Sequence, residues 1–373
     1  MLIGLPKEIK NNEFRVGLTP ASVHELCHNG HHVHVETNAG VGCGFDNSDF
    51  IAAGAVIVEK AEHIYKSAEL IIKVKEPQAV ERAMLRAGQT LFTYLHLAPD
   101  IPQTQELLAS GATCIAYETV ADKLGRLPLL APMSEVAGRM SIQAGAHCLE
   151  NSQKGSGILL GGVPGVHPAN VVILGAGVVG SNATQMAVGL GANVTVMDKS
   201  LDALRRLDTL YGNKIKTLFS TQQSLAEQLL IADLVIGAVL IPGAQAPRLV
   251  SRKLLKTMKK GSAIVDVAID QGGCFETSHP TTHEKPTFVE EGVVHYCVAN
   301  MPGALARTAT QALNNATLPY VLELANKGIK TALSENSGLL QGLNIVRGKL
   351  TCDSVATAQH IPAISPESGL QIL

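Results

Sequence analysis

Short apolar runs and stretches with apolar residues three and four apart alternate along most of this chain, which is the pattern of strands exchanging with helices. In the first third, Leu2–Leu5, His32–Glu36 and the segments 70–75, 90–95 and 113–117 read as strands with helical stretches between them. Thr19 followed by Pro20 supplies an N-cap and a proline at the first helical position, opening a helix that Gly30 closes. A second strand series lies at 171–174, 192–197, 234–239, 263–268 and 293–298, and helical spacing returns at 133–150 and 309–326. Strands and helices in this order predict an α/β protein with two doubly wound, mostly parallel sheets, each a Rossmann-like domain.

The segment 169–199 adds chemistry to the pattern. The apolar run 171–174 leads directly into Gly175-Ala176-Gly177-Val178-Val179-Gly180, a G-x-G-x-x-G spacing between a strand and a helix. Gly175 permits the tight turn, Gly177 lets the backbone approach a pyrophosphate, and Gly180 lets the helix lie close to its strand. Unpaired N–H groups at the helix start then face the phosphates. The next strand ends at Asp198, at the distance where a carboxylate meets the adenosine ribose hydroxyls, and its charge would repel the 2′-phosphate of NADP. NAD is therefore the expected cofactor; a tight strand-to-helix turn with no ligand is the alternative.

The fingerprint begins nearly halfway along the chain, so the nucleotide unit reads as an insertion. Residues 131–304 are expected to form the NAD-binding Rossmann domain. Residues 1–130 plus 305–373 form the substrate domain, the helical stretch 133–150 joins the two, and a cleft between them is expected.

Composition narrows the partners. The 373 residues suffice for two domains, and 46% hydrophobic against 17% charged residues indicates packed cores. With no Trp, 3% aromatics and a net charge of −2, neither nucleic acid nor an anionic membrane is an expected partner. Seven cysteines without a C-x-x-C pair argue against a disulfide framework or thiolate zinc site and fit a reducing cytoplasm. Charge appears by Lys7, too soon for a signal peptide, and Pro164, His167, Pro168 and Asn170 interrupt the most apolar long stretch, so no membrane span is expected.

Four residues outside the fingerprint are candidates for chemistry. Arg15 lies in a polar loop and is either a solvated arginine or a planar fork for a substrate carboxylate. Lys75 shares a strand face with Lys73 just before Pro77, either on an exposed edge or at a strand end where it can polarise a carbonyl. His96 follows the next apolar run and is either structural or a general acid/base. Asp270 stands at the tip of a nucleotide-domain strand, either capping a loop or facing the nicotinamide, and Asp266 reads as the structural acid of that strand. His24, His28, His31, His32 and His34 invite a metal reading, but no carboxylate or cysteine completes a ligand spacing, and no metal is expected. Glu323 and Lys327 read as an i, i+4 ion pair on a helix.

Together these pieces resemble the bacterial alanine dehydrogenases, from Pro6-Lys7-Glu8 almost to the C-terminus. The matching blocks include Asn12-Glu13-Phe14-Arg15-Val16, Val74-Lys75-Glu76-Pro77, Leu95-His96-Leu97, Gly161-Gly162-Val163-Pro164-Gly165-Val166, Ile269-Asp270-Gln271-Gly272-Gly273-Cys274 and Val298-Ala299-Asn300-Met301-Pro302-Gly303. The resemblance implies reversible NAD-dependent oxidative deamination of L-alanine to pyruvate and ammonia. It implies that Arg15 and Lys75 bind the substrate and that His96 and Asp270 are the acid/base residues. Around NAD it places Ser134, Val178, Val179, Asp198, Ser220, Val239, Leu240, Val267, Ala268, Ile269, Asp270, Val298, Ala299, Asn300 and Met301, besides the three glycines. It further implies a cytoplasmic homo-oligomer, a hexamer. The NAD-binding component of proton-translocating transhydrogenase, a dehydrogenase of the lysine–saccharopine type and a non-catalytic NAD-responsive regulator are the competing readings.

Overall fold

The computed structural model describes residues 1–239 and 246–373. Among the described residues the strands are, in chain order, β1 (Leu2–Leu5), β2 (His32–Glu36), β3 (Val56–Val58), β4 (Leu70–Ile72), β5 (Thr90–Thr93), β6 (Thr113–Ala116), β7 (Asn170–Leu174), β8 (Asn193–Asp198), β9 (Ile215–Phe219), β10 (Leu234–Gly237), β11 (Ala263–Asp266), β12 (Thr287–Glu290), β13 (Val293–Tyr296), β14 (Leu343–Val346) and β15 (Lys349–Leu350). The chain divides into two compact units, Met1–Met133 with Leu305–Leu373, and Ser134–Ala304. The helix Ala131–Cys148 carries the chain from the first unit into the second.

The first unit holds an eight-stranded sheet in the order β15-β14-β6-β5-β4-β1-β2-β3. Strands β1 to β6 run parallel, and β14 joins β6 antiparallel. Helices start where the local chemistry dictates. The Thr19 hydroxyl accepts the N–H of Ser22 to open Pro20–His28, and the Asp100 carboxylate accepts the N–H of Gln103 to open Ile101–Ser110. The latter helix ends on Gly111 in the left-handed region, φ +69°.

The second unit holds seven strands in the order β12-β13-β11-β10-β7-β8-β9, all parallel except β12. Its strands show why both faces need covering. Val171, Ile173, Val194, Val196, Leu234 and Ile236 point into one hydrophobic core, while Val172, Leu174, Met197 and Val235 point into another. The alternation follows from the period-two pleat, and each buried aliphatic side chain contributes about 1.5–3 kcal/mol.

The strands that the apolar pattern does not predict include all four sheet edges, β3, β15, β9 and β12, together with β14. An edge strand buries less of itself, so its pattern is diluted by exposed positions such as Val56 and Phe219. The expected strands 70–75 and 90–95 are shorter than predicted, stopping at Ile72 and Thr93. Two carboxylates divert the next N–H groups from the ladder: Glu8 takes that of Val74 at 2.7 Å, and Glu118 takes that of Leu95 at 3.1 Å. The two segments still exchange bonds beyond the strand ends, from Lys73 N–H to the Phe92 carbonyl and from Tyr94 N–H to the Val74 carbonyl.

Candidate active site

In the first unit the parallel sheet brings Arg15, Lys75 and His96 to one edge. They follow β1, β4 and β5, and the carboxyl ends of parallel strands all face the same way. The strand order reverses between β1 and β4, which is where open α/β sheets form a binding crevice. β4 lies between β1 and β5 in the sheet interior, so Lys75 is not on an exposed edge.

Arg15 is not a solvated loop arginine, being 2% exposed. Its guanidinium forms a fork with the Glu13 carboxylate, Nε to Oε1 at 2.7 Å and Nη2 to Oε2 at 2.5 Å, while Nη1 reaches the Met133 sulfur at 3.0 Å. Burial works against its charge, but Glu13 outweighs it and pushes the Arg15 pKa above its ordinary value. A permanent, partly neutralised cation held in place by its neighbour suits recognition of a small carboxylate.

Lys73 and Lys75 part company. Lys73 is fully buried, with its Nζ 3.1 Å from Glu8 Oε2 and 2.8 Å from Glu81 Oε1. Lys75 is partly buried; its N–H lies 3.4 Å from Glu8 Oε1, and its carbonyl accepts the Thr93 hydroxyl at 3.0 Å. Glu8 thus spans both lysines and fixes the loop that carries Lys75.

His96 is set by two acids. Glu118, in the turn after β6, takes the backbone N–H of His96 at 2.6 Å, while Glu76 Oε2 lies 3.5 Å from its Nδ1. The His96 backbone is left-handed at φ +49°, and its ring lies 5.7 Å from that of Tyr94. Burial works to raise the Glu76 pKa, but His96, Lys75 and Lys10 together hold it well below the usual carboxylate range.

In the second unit the remaining candidates sit at the carboxyl ends of parallel strands. Gly175 follows β7, Asp198 ends β8, Ser220 follows β9, Val239 follows β10, Val267 to Asp270 follow β11, and Val298 to Met301 follow β13. Leu240 lies outside the described residues, and Ser134 sits half-buried on the helix Ala131–Cys148. Here too the order reverses, between β7 and β10.

The three fingerprint glycines differ in what surrounds them. Gly175 stands at φ +109°, and a Cβ there would fall 2.6 Å from the Ala238 carbonyl oxygen. A Cβ on Gly180 would fall 1.8 Å from the Gly175 oxygen, whereas one on Gly177 would meet open space. That open space lies at the N-cap of the helix Val178–Gly189, where a phosphate is favoured. Asp198 accepts the N–H of Ala176 at 2.6 Å and that of Ser200 at 2.7 Å, tying the glycine turn to the end of β8. This cradle fits a dinucleotide.

Asp266 is buried and accepts the N–H groups of Ala268 and Cys274 at 3.1 and 3.0 Å, so it braces the turn that presents Asp270. Burial raises its pKa. Asp270 Oδ2 lies 3.4 Å from the Asn300 N–H, which joins two of the expected nucleotide-binding segments. Elsewhere, Glu323 and Lys327 form the expected ion pair at 3.0 Å, and His31 Nε2 pairs with Asn326 Oδ1 at 2.7 Å. Among the described residues no helix is long and apolar enough to cross a membrane.

Glu8, Glu13, Glu76 and Glu118 are the residues that the sequence pattern leaves unmarked. Glu76 adjoins Lys75, and an acid beside a strand-end lysine is a signal that can be read; Glu118 is far from His96 in sequence and leaves none.

Two family models cover the chain, the alanine dehydrogenase/PNT N-terminal domain over residues 4–137 and its C-terminal domain over 141–353. An alanine dehydrogenase of Halomonas elongata is 61% identical over 96% of both chains. A solved L-alanine dehydrogenase superposes with a TM-score of 0.94 at 52% identity, covering 96% of this chain and 99% of that one. A transhydrogenase from Sinorhizobium meliloti superposes with a TM-score of 0.81 at 25% identity, covering 94% and 99%. With both domain models matched in order and a relative this similar along its whole length, the chain belongs to the alanine dehydrogenase/PNT family.

Proposed function

We propose that this chain is an NAD-dependent L-alanine dehydrogenase, interconverting L-alanine and water with pyruvate and ammonia. The observation that carries the reading is the set Arg15, Lys75 and His96 at the carboxyl ends of one parallel sheet in a chain whose other unit bears a glycine turn that fits a dinucleotide. NAD supplies the acceptor for the hydride that leaves the alanine α-carbon. Gly175, Gly177 and Gly180 receive its pyrophosphate and Asp198 its ribose, with Ser134, Ser220, Val239 and the segments at 267–270 and 298–301 around it.

The chain's own residues do the rest. Arg15 binds the substrate carboxylate, and Lys75 polarises the carbonyl as it develops. Loss of hydride leaves iminopyruvate, which water attacks; His96 takes the proton from that water and gives it to the departing nitrogen. Asp270 orients substrate and water or shares the proton transfer. The reading carries with it a cytoplasmic hexamer, which light scattering of the purified protein and cell fractionation check.

Loss of NADH absorbance with pyruvate and ammonia is the test, repeated with glyoxylate and 2-oxobutyrate in place of pyruvate. No pyruvate-dependent oxidation would overturn the assignment. Hydride exchange between the two nicotinamide nucleotides without pyruvate turnover would select the transhydrogenase reading instead.

A further inference from the structure

Glu76 lies in the loop after β4 with its side chain 13% exposed. One oxygen, Oε1, is ion-paired with Lys10. The other, Oε2, is buried and has no hydrogen-bond partner among the described residues. Buried polar atoms in native structures are nearly always bonded, so an unbonded carboxylate oxygen calls for a reason. Its 3.5 Å separation from His96 Nδ1 exceeds a good N–H···O bond, yet closing by about half an ångström would make a charge-assisted one.

The remaining groups around the imidazole leave that place to Glu76. Glu118 approaches from the turn after β6, but its oxygens are taken by the backbone N–H groups of Leu95 and His96. Tyr94 lies beside the ring, Lys75 stands next to Glu76 in the chain, and Lys10 reaches in from the loop after β1. Among these groups, Glu76 is the one whose anionic oxygen is aimed at a ring nitrogen.

We propose that Glu76 is the positioning residue of His96: it keeps the proton on Nδ1, leaves Nε2 to exchange protons with water and substrate nitrogen, and holds the imidazolium between the two transfers. This rests on the reading of His96 as the acid/base. The bookkeeping closes without another reactant. Water loses a proton to Nε2 as its oxygen bonds to the iminium carbon, the same proton passes to the amino nitrogen, and Nε2 takes the hydroxyl proton as the C–N bond breaks and the carbonyl forms. Glu76 stays ionised throughout and contracts onto Nδ1–H while the ring is charged.

The test measures pyruvate-dependent NADH oxidation across pH for the full-length wild type and for E76Q, E76D, K10M and H96N, with NADH binding and melting temperature as folding controls. E76Q is expected to lose kcat on the order of tenfold or more, with NADH affinity within about threefold. The loss is expected in kcat, with the KM for pyruvate within about threefold, because the carboxylate acts on the ring and not on the bound substrate. E76D is expected to recover part of the loss, and K10M to stay within about threefold of wild type.

A wild-type kcat in E76Q, beside a dead H96N, would overturn the inference alone. A loss in K10M as large as that in E76Q would overturn it too, by tracing the effect to loop support. An active H96N would remove the reading of His96 itself.

Discussion

The Glu118 carboxylate accepts the backbone N–H of His96 at 2.6 Å, and the backbone it grips stands at φ +49°. A left-handed conformation costs a non-glycine residue about 1–2 kcal/mol, whereas a hydrogen bond to a charged group returns about 1.5–3 kcal/mol. The acid therefore suffices to hold the strained residue, and the geometry of the ring depends on a side chain that never touches it.

Replacing Glu118 by Ala should therefore lower both stability and turnover. We expect the unfolding free energy to fall by about 1–3 kcal/mol and kcat on the order of tenfold, read from denaturant melts and NADH oxidation. A Glu118→Ala protein that melts and turns over like wild type would show that the loop holds His96 unaided.

The three fingerprint glycines should separate in their effects. Gly180→Ala drives a Cβ into the Gly175 oxygen and should destabilise the protein by about 1–3 kcal/mol or prevent folding. Gly177→Ala meets nothing in the protein itself, so it should melt normally while losing NADH affinity by about tenfold or more. Titration of intrinsic NADH fluorescence checks this, and unchanged affinity in Gly177→Ala would remove the pyrophosphate from that spot.

Lys73 should matter to stability out of proportion to any role in the reaction. Lys73→Met leaves Glu8 and Glu81 buried without their cation, at a cost of about 3–5 kcal/mol; adding Glu8→Gln and Glu81→Gln should recover most of it. Burial already raises the Glu8 pKa above 4.5 despite Lys73. A carboxyl raised in the folded state binds more protons there than when unfolded, so its contribution to stability falls as pH rises above about 4.5. The deficit of Lys73→Met should accordingly widen from acid toward neutral pH in chemical melts; a deficit independent of pH would show that Glu8 stays neutral throughout.

Thiol chemistry should report burial. Burial pushes Cys114, Cys148 and Cys297 up to about 12 and raises Cys43, Cys274 and the less buried Cys27 as well, while Cys27 and Cys352 are the partly exposed thiols. An aromatic disulfide reagent at pH 8 should therefore release the equivalent of Cys27 and Cys352 from the native protein and all seven thiols after unfolding. Rapid native labelling of Cys114 by mass spectrometry would contradict the packing of β6.

What the sequence discloses depends on how far each interaction reaches. The glycine turn, the cap at Thr19 and the fully buried strands β4 and β10 are local matters, and their pattern survives in any short window. Arg15 does not read this way. Its burial depends on Met133, and its fork is filled by Glu13 two residues back, a spacing equally common among solvated pairs. The strand end at Ile72 is misjudged for the same reason, because the carboxylate that interrupts the ladder comes from Glu8. Glu118 is invisible from His96 until β5 and β6 are paired.

The pairing of β6 with β14 has a consequence for how the chain is made. β6 precedes the second unit and β14 follows it, so the ribosome releases all of Ser134–Ala304 while β6 still waits for its neighbour. During that interval the backbone groups of β6, flanked by the apolar Cys114 and Ile115, form an open edge that any other extended segment can join. The second unit, being continuous in sequence, can be complete before the first is closed. A chain cut short before β14 is thus expected to aggregate through β6 while its nucleotide-binding half folds normally.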